Sequence, residues 1–234
     1  MPDPTILAMG GGGFSSGAEH GRLMDDFMLE LTGRDTPKVC WVPTASGDAD
    51  DFTPRFYEVF GRGRAQPSHL ALFMRDVENL ERFLLGQDAI YVGGGNTANM
   101  LAVWRVHGVD RILAEAWRRG IVLGGLSAGG LCWFEGGSTD SFGGLAPLRD
   151  GLGFLSGSFC PHYDSEQQRR TTYHDFVRDG LPAGYAAQEF AALRFSGTEL
   201  VETVASCEGS YAFRVEANGD GVVERELECR ALWA

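Results

Sequence analysis

Ile121-Val122-Leu123-Gly124-Gly125-Leu126-Ser127-Ala128-Gly129-Gly130-Leu131-Cys132-Trp133-Phe134 runs from a short apolar strand, through a glycine-rich turn, back into apolar residues. Ile121 to Leu123 has the composition of a buried strand, and Leu131 to Phe134 can open a helix. Between them Gly125-Leu126-Ser127-Ala128-Gly129 reads G-x-S-x-G. A sharp strand-to-helix turn needs small flanking residues, because its central residue occupies a strained backbone position. Such a turn lifts the Ser127 hydroxyl to the top of a sheet. It also aims the Ala128 N–H and the helix N-terminus at a developing oxyanion. The pattern is a nucleophile elbow.

Outward from this turn, strands and helices alternate. Thr5 to Met9, Val39 to Val42, Leu70 to Phe73 and Ala89 to Val92 read as strands. Helical spacing appears over 18–31, at Phe52, Phe56 and Phe60, over 77–85, and around 100–104 and 111–119. This alternation implies βαβ units and a mostly parallel sheet covered on both faces. After a helical stretch from Asp164 to Arg178 the pattern changes. Ala191 to Phe195, Leu200 to Val204 and Tyr211 to Val215 alternate, with the turn Asn218-Gly219-Asp220-Gly221 after them. These are expected to be antiparallel strands that finish the same sheet or form a small flap. No linker or repeat divides residues 1–234, so a single α/β domain is expected.

Composition removes other classes. The net charge of −12 lacks the basic face that a nucleic-acid binder needs, and it disfavours anionic membranes. Cys40, Cys132, Cys160, Cys207 and Cys229 are scattered, without CxxC or Cys/His spacing, so no metal is expected. The start Met-Pro-Asp-Pro has no basic and apolar leader, and no apolar run approaches the roughly 20 residues of a membrane span. A cytoplasmic protein is expected.

Glycine is the outlier at 33 of 234 residues, and three clusters fall at strand ends: Gly10 to Gly13, Gly93 to Gly95, and those around Ser127. Ligand sites of open parallel sheets form beyond those ends. Gly11, Gly13 and Gly17 approach a dinucleotide fingerprint, but the second strand ends in Pro43-Thr44-Ala45-Ser46, without the acidic residue that holds a ribose. No phosphate loop is present either, so no nucleotide cofactor is expected. On the residues alone, Gly10 to Gly13 is a turn and nothing more.

A serine nucleophile needs a base. His162, in Phe159-Cys160-Pro161-His162-Tyr163, follows an apolar run and comes after the serine, the order seen in α/β hydrolases. His20, His69, His107 and His174 sit in contexts that suit surface or helical positions. Two carboxylates compete to orient the imidazole. Asp140 lies in the polar turn Ser138-Thr139-Asp140-Ser141. Glu189 stands between Tyr185-Ala186-Ala187 and Ala191-Ala192-Leu193, where a lone carboxylate is costly to bury without a partner. Both stay open at this level.

Gly93-Gly94-Gly95-Asn96-Thr97 after a strand, then Gly125-Leu126-Ser127-Ala128-Gly129, then Pro161-His162, resembles the S51 serine peptidases, which include peptidase E and cyanophycinase. Pro43-Thr44-Ala45-Ser46 is also similar to that family, and the likeness runs from the first strand to Glu189. It implies a three-layer α/β/α sandwich related to class I glutamine amidotransferases, flavodoxin-like in plan. It implies Ser127 as nucleophile, His162 as base, and Gly95 and Ala128 as oxyanion-hole donors. It favours Glu189 as the third member, with Asp140 a neighbouring structural or substrate-facing residue. Asn96 and Thr97 would face substrate, and Arg169 or Arg170 would clamp a carboxylate. The compact stretch from Asp164 to Arg170 departs from the longer polar insert expected of peptidase E, so strict aspartyl specificity does not follow.

The resemblance therefore implies a dipeptidase- or exopeptidase-like serine hydrolase acting on short peptides, with no cofactor and with a homodimer as an available assembly. The same elbow would also serve an esterase or amidase. A non-catalytic module that holds a small ligand on the same glycine loops is the remaining alternative.

Overall fold

A computed structural model describes residues 3–49, 51–165 and 168–233. In chain order the regular elements begin with β1 (Thr5–Met9), α1 (Glu19–Glu30), β2 (Lys38–Val42), α2 (Phe52–Phe60) and β3 (Gln66–His69). Then come α3 (Leu80–Leu84), β4 (Ala89–Val92), α4 (Thr97–His107), α5 (Val109–Arg118), β5 (Val122–Leu126) and α6 (Ala128–Leu131). The rest is β6 (Phe134–Thr139), β7 (Ala146–Leu148), β8 (Leu155–Cys160), α7 (Arg169–Arg178), β9 (Gly184–Ala187), β10 (Ala191–Ser196), β11 (Glu199–Ala205), β12 (Ala212–Asn218), β13 (Gly221–Leu227) and β14 (Cys229–Ala231).

Eight strands form the main sheet in the order β14-β11-β10-β1-β5-β4-β2-β3. From β1 to β3 all neighbours are parallel, with Ile6 opposite Leu123 and Val92 opposite Gly125. β10 joins β1 antiparallel, and β11 joins β10 antiparallel. Side chains alternate between the two faces, as period two requires. Ile6, Ala8, Cys40, Val42, Ile90 and Leu123 pack with α3, α4 and α5 on one face. Leu7, Met9, Val39, Trp41, Tyr91 and Val122 pack with α1 and α2 on the other. The strands are buried on both faces, which is why they read as unbroken apolar runs. Phe14, in the short turn after β1, sits edge-on to Trp41 and Tyr91, with ring centres 4.9 and 5.6 Å apart. Each such pair contributes about 0.5–1.5 kcal/mol beyond its burial and pins the turn to the sheet.

The later strands do not all finish this sheet. β10, β11 and β14 do, but β13-β12-β9-β8-β6-β7 form a second, six-stranded sheet. Phe134, Leu155 and Phe159 pack it against the α3–α5 side of the core, and α7 covers its outer face through Tyr173 and Val177. Two of its interior strands, β6 and β8, carry Gly136, Gly137 and Gly157, which erase the apolar signature of a buried strand.

Several boundaries move from their expected places. The strand expected at Leu70 to Phe73 lies at Gln66–His69, an edge position that tolerates Pro67. Leu72 and Phe73 instead donate their N–H groups to the Asp48 carboxylate. The helix expected over 77–85 shortens to α3, whose start is capped by Asn79 accepting from Arg82 N at 2.8 Å. The helix expected at Leu131 to Phe134 begins earlier, directly after Ser127, and Phe134 opens β6. The helix expected from Asp164 begins at Arg169; Glu166 and Gln167 of that stretch lie outside the described residues. Cys40, Cys132 and Cys160 are buried and in no disulfide, and burial pushes the Cys40 thiol up to about 12. Among the described residues no helix is long and apolar enough to cross a membrane.

Candidate active site

The parallel strands β1, β4 and β5 end at one edge of the main sheet, and the candidate residues collect there. Ser127 follows β5 directly, with φ 56° and ψ −115°, a conformation unfavourable for a residue with a side chain. Three hydrogen bonds over-determine it. Its N–H donates to Met9 O at 3.2 Å, and its carbonyl accepts from Gly130 N at 3.0 Å and Leu131 N at 2.9 Å. Ala128 is the first residue of α6, where a helix leaves an N–H without an intrahelical partner.

His162 follows β8 and Pro161, also at positive φ (53°), and its N–H donates to Gly10 O at 3.2 Å. Its Nδ1 is hydrogen-bonded to Oε1 of Glu189. Both side chains are about three-quarters buried, at 25% and 29% exposure, so water competes weakly for the bond. Glu189 lies in the turn between β9 and β10, and its backbone N–H donates to Asp164 Oδ1 at 3.2 Å. Asp140 is not on the imidazole. It is 63% exposed, and its Oδ2 lies 3.9 Å from Arg169 Nη2.

The first glycine cluster lies against His162 and Glu189. Gly11 pairs with Glu189 as an isolated parallel bridge, and Gly10 N donates to Ala191 O at 2.9 Å. A Cβ on Gly11 would collide with the Glu189 carboxylate, and one on Gly10 with the carbonyls of Ala187 and Gln188. The turn is side-chain-free because the Glu189 carboxylate and the Ala187 and Gln188 carbonyls occupy that space.

Ser127, Ala128, Gly95 and His162 share one cavity of about 400 Å³. Gly95 has φ 135°, accessible essentially to glycine, and Asn96 N beside it donates to Ala45 O at 2.8 Å. Asn96 caps α4 by accepting from Asn99 N at 2.8 Å, while its Nδ2 donates to Ser141 O at 3.0 Å. Ser141 Oγ accepts from Ala98 N at 3.2 Å and lies 2.7 Å from Thr139 Oγ1. Asn96 therefore ties the 139–141 loop to the start of α4 as a wall, and Thr97, 2% exposed, lines it.

The two arginines separate. Arg169, 2% exposed at the start of α7, lines the cavity. Arg170 does not, which corrects the expectation of a substrate clamp there. It pairs with Glu224 and lies over the rings of Tyr163 and Phe213, 5.4 and 5.2 Å from their centres. Adjacent helix positions point about 100° apart, so one arginine faces the cavity and the next faces β12 and β13. Burial would raise the Glu224 carboxyl, but hydrogen bonds from Tyr163, Arg170 and His174 outweigh it and hold the carboxyl below its usual range.

Sequence reading missed Ser138 and Asp164. Ser138 Oγ is buried in the cavity wall with no hydrogen-bond partner among the described residues. Nothing in a serine within a polar turn marks it as buried. Among the described residues no group of three or more His, Cys, Asp or Glu is placed to hold a metal.

Comparison with known proteins shows the family and the fold. The model of peptidase family S51 matches residues 6–203. An uncharacterized peptidase YgaJ from Bacillus subtilis (strain 168) is 49% identical over 228 residues, spanning 97% of this chain and 98% of that protein. Two crystal structures share the fold. One is a peptidase from an acI-B1 Actinobacterium (TM-score 0.69, 15% identity, 97% of this chain and 95% of that one). The other is a putative peptidase E protein from Listeria monocytogenes EGD-e (TM-score 0.59, 17% identity, 97% and 100%). With nearly its whole length matched by the family model and by a close relative, the chain belongs to peptidase family S51.

Proposed function

We propose that the chain cleaves short peptides through an acyl-enzyme on Ser127. The observation that carries this reading is the bond between Glu189 and Nδ1 of His162, made beside the cavity that His162 shares with Ser127. It fixes the imidazole tautomer and leaves Nε2 as the ring nitrogen for the serine. Ser127 Oγ attacks the scissile carbonyl carbon while Nε2 takes its proton. The carbonyl π electrons move to the oxygen, where the N–H groups of Gly95 and Ala128 stabilise the charge. Collapse expels the amine, which takes the proton from His162. Water then attacks the acyl ester with His162 again as base, releasing the carboxylate product and restoring Ser127.

The cavity volume of about 400 Å³ suits a few residues of peptide rather than a protein chain. Buried Arg169 supplies the cation for a substrate carboxylate, with Asp140 at its side. Because Asp140 already faces this guanidinium, an aspartyl side chain is not a strict requirement. Replacing Ser127 with Ala is expected to abolish turnover of di- and tripeptides and labelling by a fluorophosphonate, with the fold retained. Near-native peptide cleavage by that variant would falsify the reading. Fast ester cleavage without peptide turnover by the native chain would remove its peptide specificity.

A further inference from the structure

A second cavity, of about 530 Å³, opens between the Gly13–Ser16 turn, α1 and α2, and shares no lining residue with the catalytic one. Two of its lining groups, Asp25 and Arg55, are an acid and a base that do not pair with each other. Asp25 is fully buried. Its Oδ1 accepts from the Tyr91 hydroxyl at 3.0 Å, but its Oδ2 has no hydrogen-bond partner among the described residues. Arg55 is half-buried, with its guanidinium laid over Gly17, and it makes no hydrogen bond or ion pair among the described residues. The other charges around the cavity are matched or wet. Arg62 pairs with Glu58 at 3.0 Å, Arg22 and Arg64 share Asp26, and Glu19 stands exposed at the rim. Phe14 and Val59 supply apolar lining to the same cavity.

We propose that this cavity binds a free α-amino acid as a zwitterion, its carboxylate on Arg55, its ammonium on Asp25 Oδ2, and its side chain against Phe14 and Val59. The volume fits such a ligand with room for a large side chain. A guanidinium forks onto a carboxylate in bidentate fashion, and a buried carboxylate oxygen is costly to leave without a donor. Burial lifts Asp25 to about 7 despite bonds from Tyr91 and from the Phe14 backbone. At neutral pH Asp25 is thus about half protonated, and an arriving ammonium expels that proton. Free amino acids are also what a peptidase releases. The site stands on its own residues and does not rest on the acyl-enzyme reading. Its nearest covalent link to the catalytic centre is the Gly10–Phe14 segment, where Gly10 O holds the His162 N–H and Phe14 walls this cavity.

The test is calorimetric titration of the purified chain with individual L-amino acids at pH 7, in two buffers of different ionisation enthalpy. The expected result is saturable binding of apolar amino acids, with a buffer-dependent heat showing release of about half a proton. Arg55→Gln, a partly exposed change that should leave the fold intact, is expected to weaken binding at least about tenfold. Asp25→Asn is expected to bind more weakly and to lose the buffer dependence. Arg169→Gln, in the catalytic cavity, should leave the titration unchanged. Should Asp25→Asn fail to fold, the Arg55 and Arg169 variants still decide the matter. No saturable heat with any amino acid overturns the proposal. So does binding that survives Arg55→Gln, binding lost in Arg169→Gln, or binding of inorganic phosphate alone.

Discussion

Glu189 reaches Nδ1 of His162 through space that stays open only because residue 11 is a glycine. The carboxylate comes from the turn between β9 and β10, and the histidine from the end of β8. Gly10 and Gly11 join them, holding the His162 N–H on one side and pairing with Glu189 on the other. Two strands of the second sheet thus deliver His162 and Glu189 to the cavity where the first sheet carries Ser127.

Glu189→Gln should lower kcat by about 10³–10⁴-fold with KM little changed, because the neutral amide neither fixes the tautomer nor stabilises the imidazolium. Asp140→Asn acts on the cavity mouth and should change mainly KM. Steady-state kinetics on one dipeptide separates the two. Equal kcat losses in both variants would sink the assignment of Glu189.

Gly11→Ala should fold and yet lose most of its kcat, since the added methyl displaces the Glu189 carboxylate. Its effect and that of Glu189→Gln act through one bond, so the double variant should be scarcely slower than the slower single one. Kinetics paired with circular dichroism checks this. Additive losses would mean that Gly11 acts by another route.

Arg169 and Arg170 should differ sharply. Arg169→Gln is expected to cut kcat/KM for carboxylate-bearing peptides by about 10–100-fold, the value of a hydrogen bond to a charged group. Arg170→Gln should leave kcat/KM within about threefold and lower Tm instead, because it removes the guanidinium from Glu224 and leaves that carboxylate only Tyr163 and His174. The pair of kinetic constants and melting curves decides it. A substrate effect at Arg170 would contradict its position outside the cavity.

Asp25 should make the fold less stable as pH rises. Its folded value of about 7 lies above the ordinary 3.8, so between these limits the native state binds more protons than the unfolded one. Stability attributable to this group therefore falls from about pH 4 to about pH 7 and levels off above, by a total on the order of a few kcal/mol. Asp25→Asn lacks this slope. Urea denaturation of both proteins from pH 4.5 to 8 should show the variant gaining on the native chain as pH increases. Parallel curves would refute the buried protonated carboxyl.

The main sheet was legible because strands buried on both faces leave unbroken apolar runs, as at Val39 to Val42 and Ala89 to Val92. The elbow was legible for a local reason, since Ser127 needs small neighbours at fixed offsets. The second sheet was not. Phe134-Glu135-Gly136-Gly137 and Leu155-Ser156-Gly157-Ser158 open β6 and β8, yet glycine and serine obscure their periodicity. Neither was the arginine pair separable, because neighbouring residues of one helix share a sequence context and point to different places.

By itself the sequence determined the parallel α/β core, the serine at its turn, the histidine after it, and two carboxylates competing to orient that histidine. Each of these rests on contacts between residues near in the chain or on burial that marks a whole segment. Only the tertiary structure put Glu189 rather than Asp140 on the imidazole, set Gly10 and Gly11 against that pair, and put Arg169 in the cavity and Arg170 outside it. Those are distances between residues far apart in sequence. They depend on how two sheets pack, which no local pattern encodes.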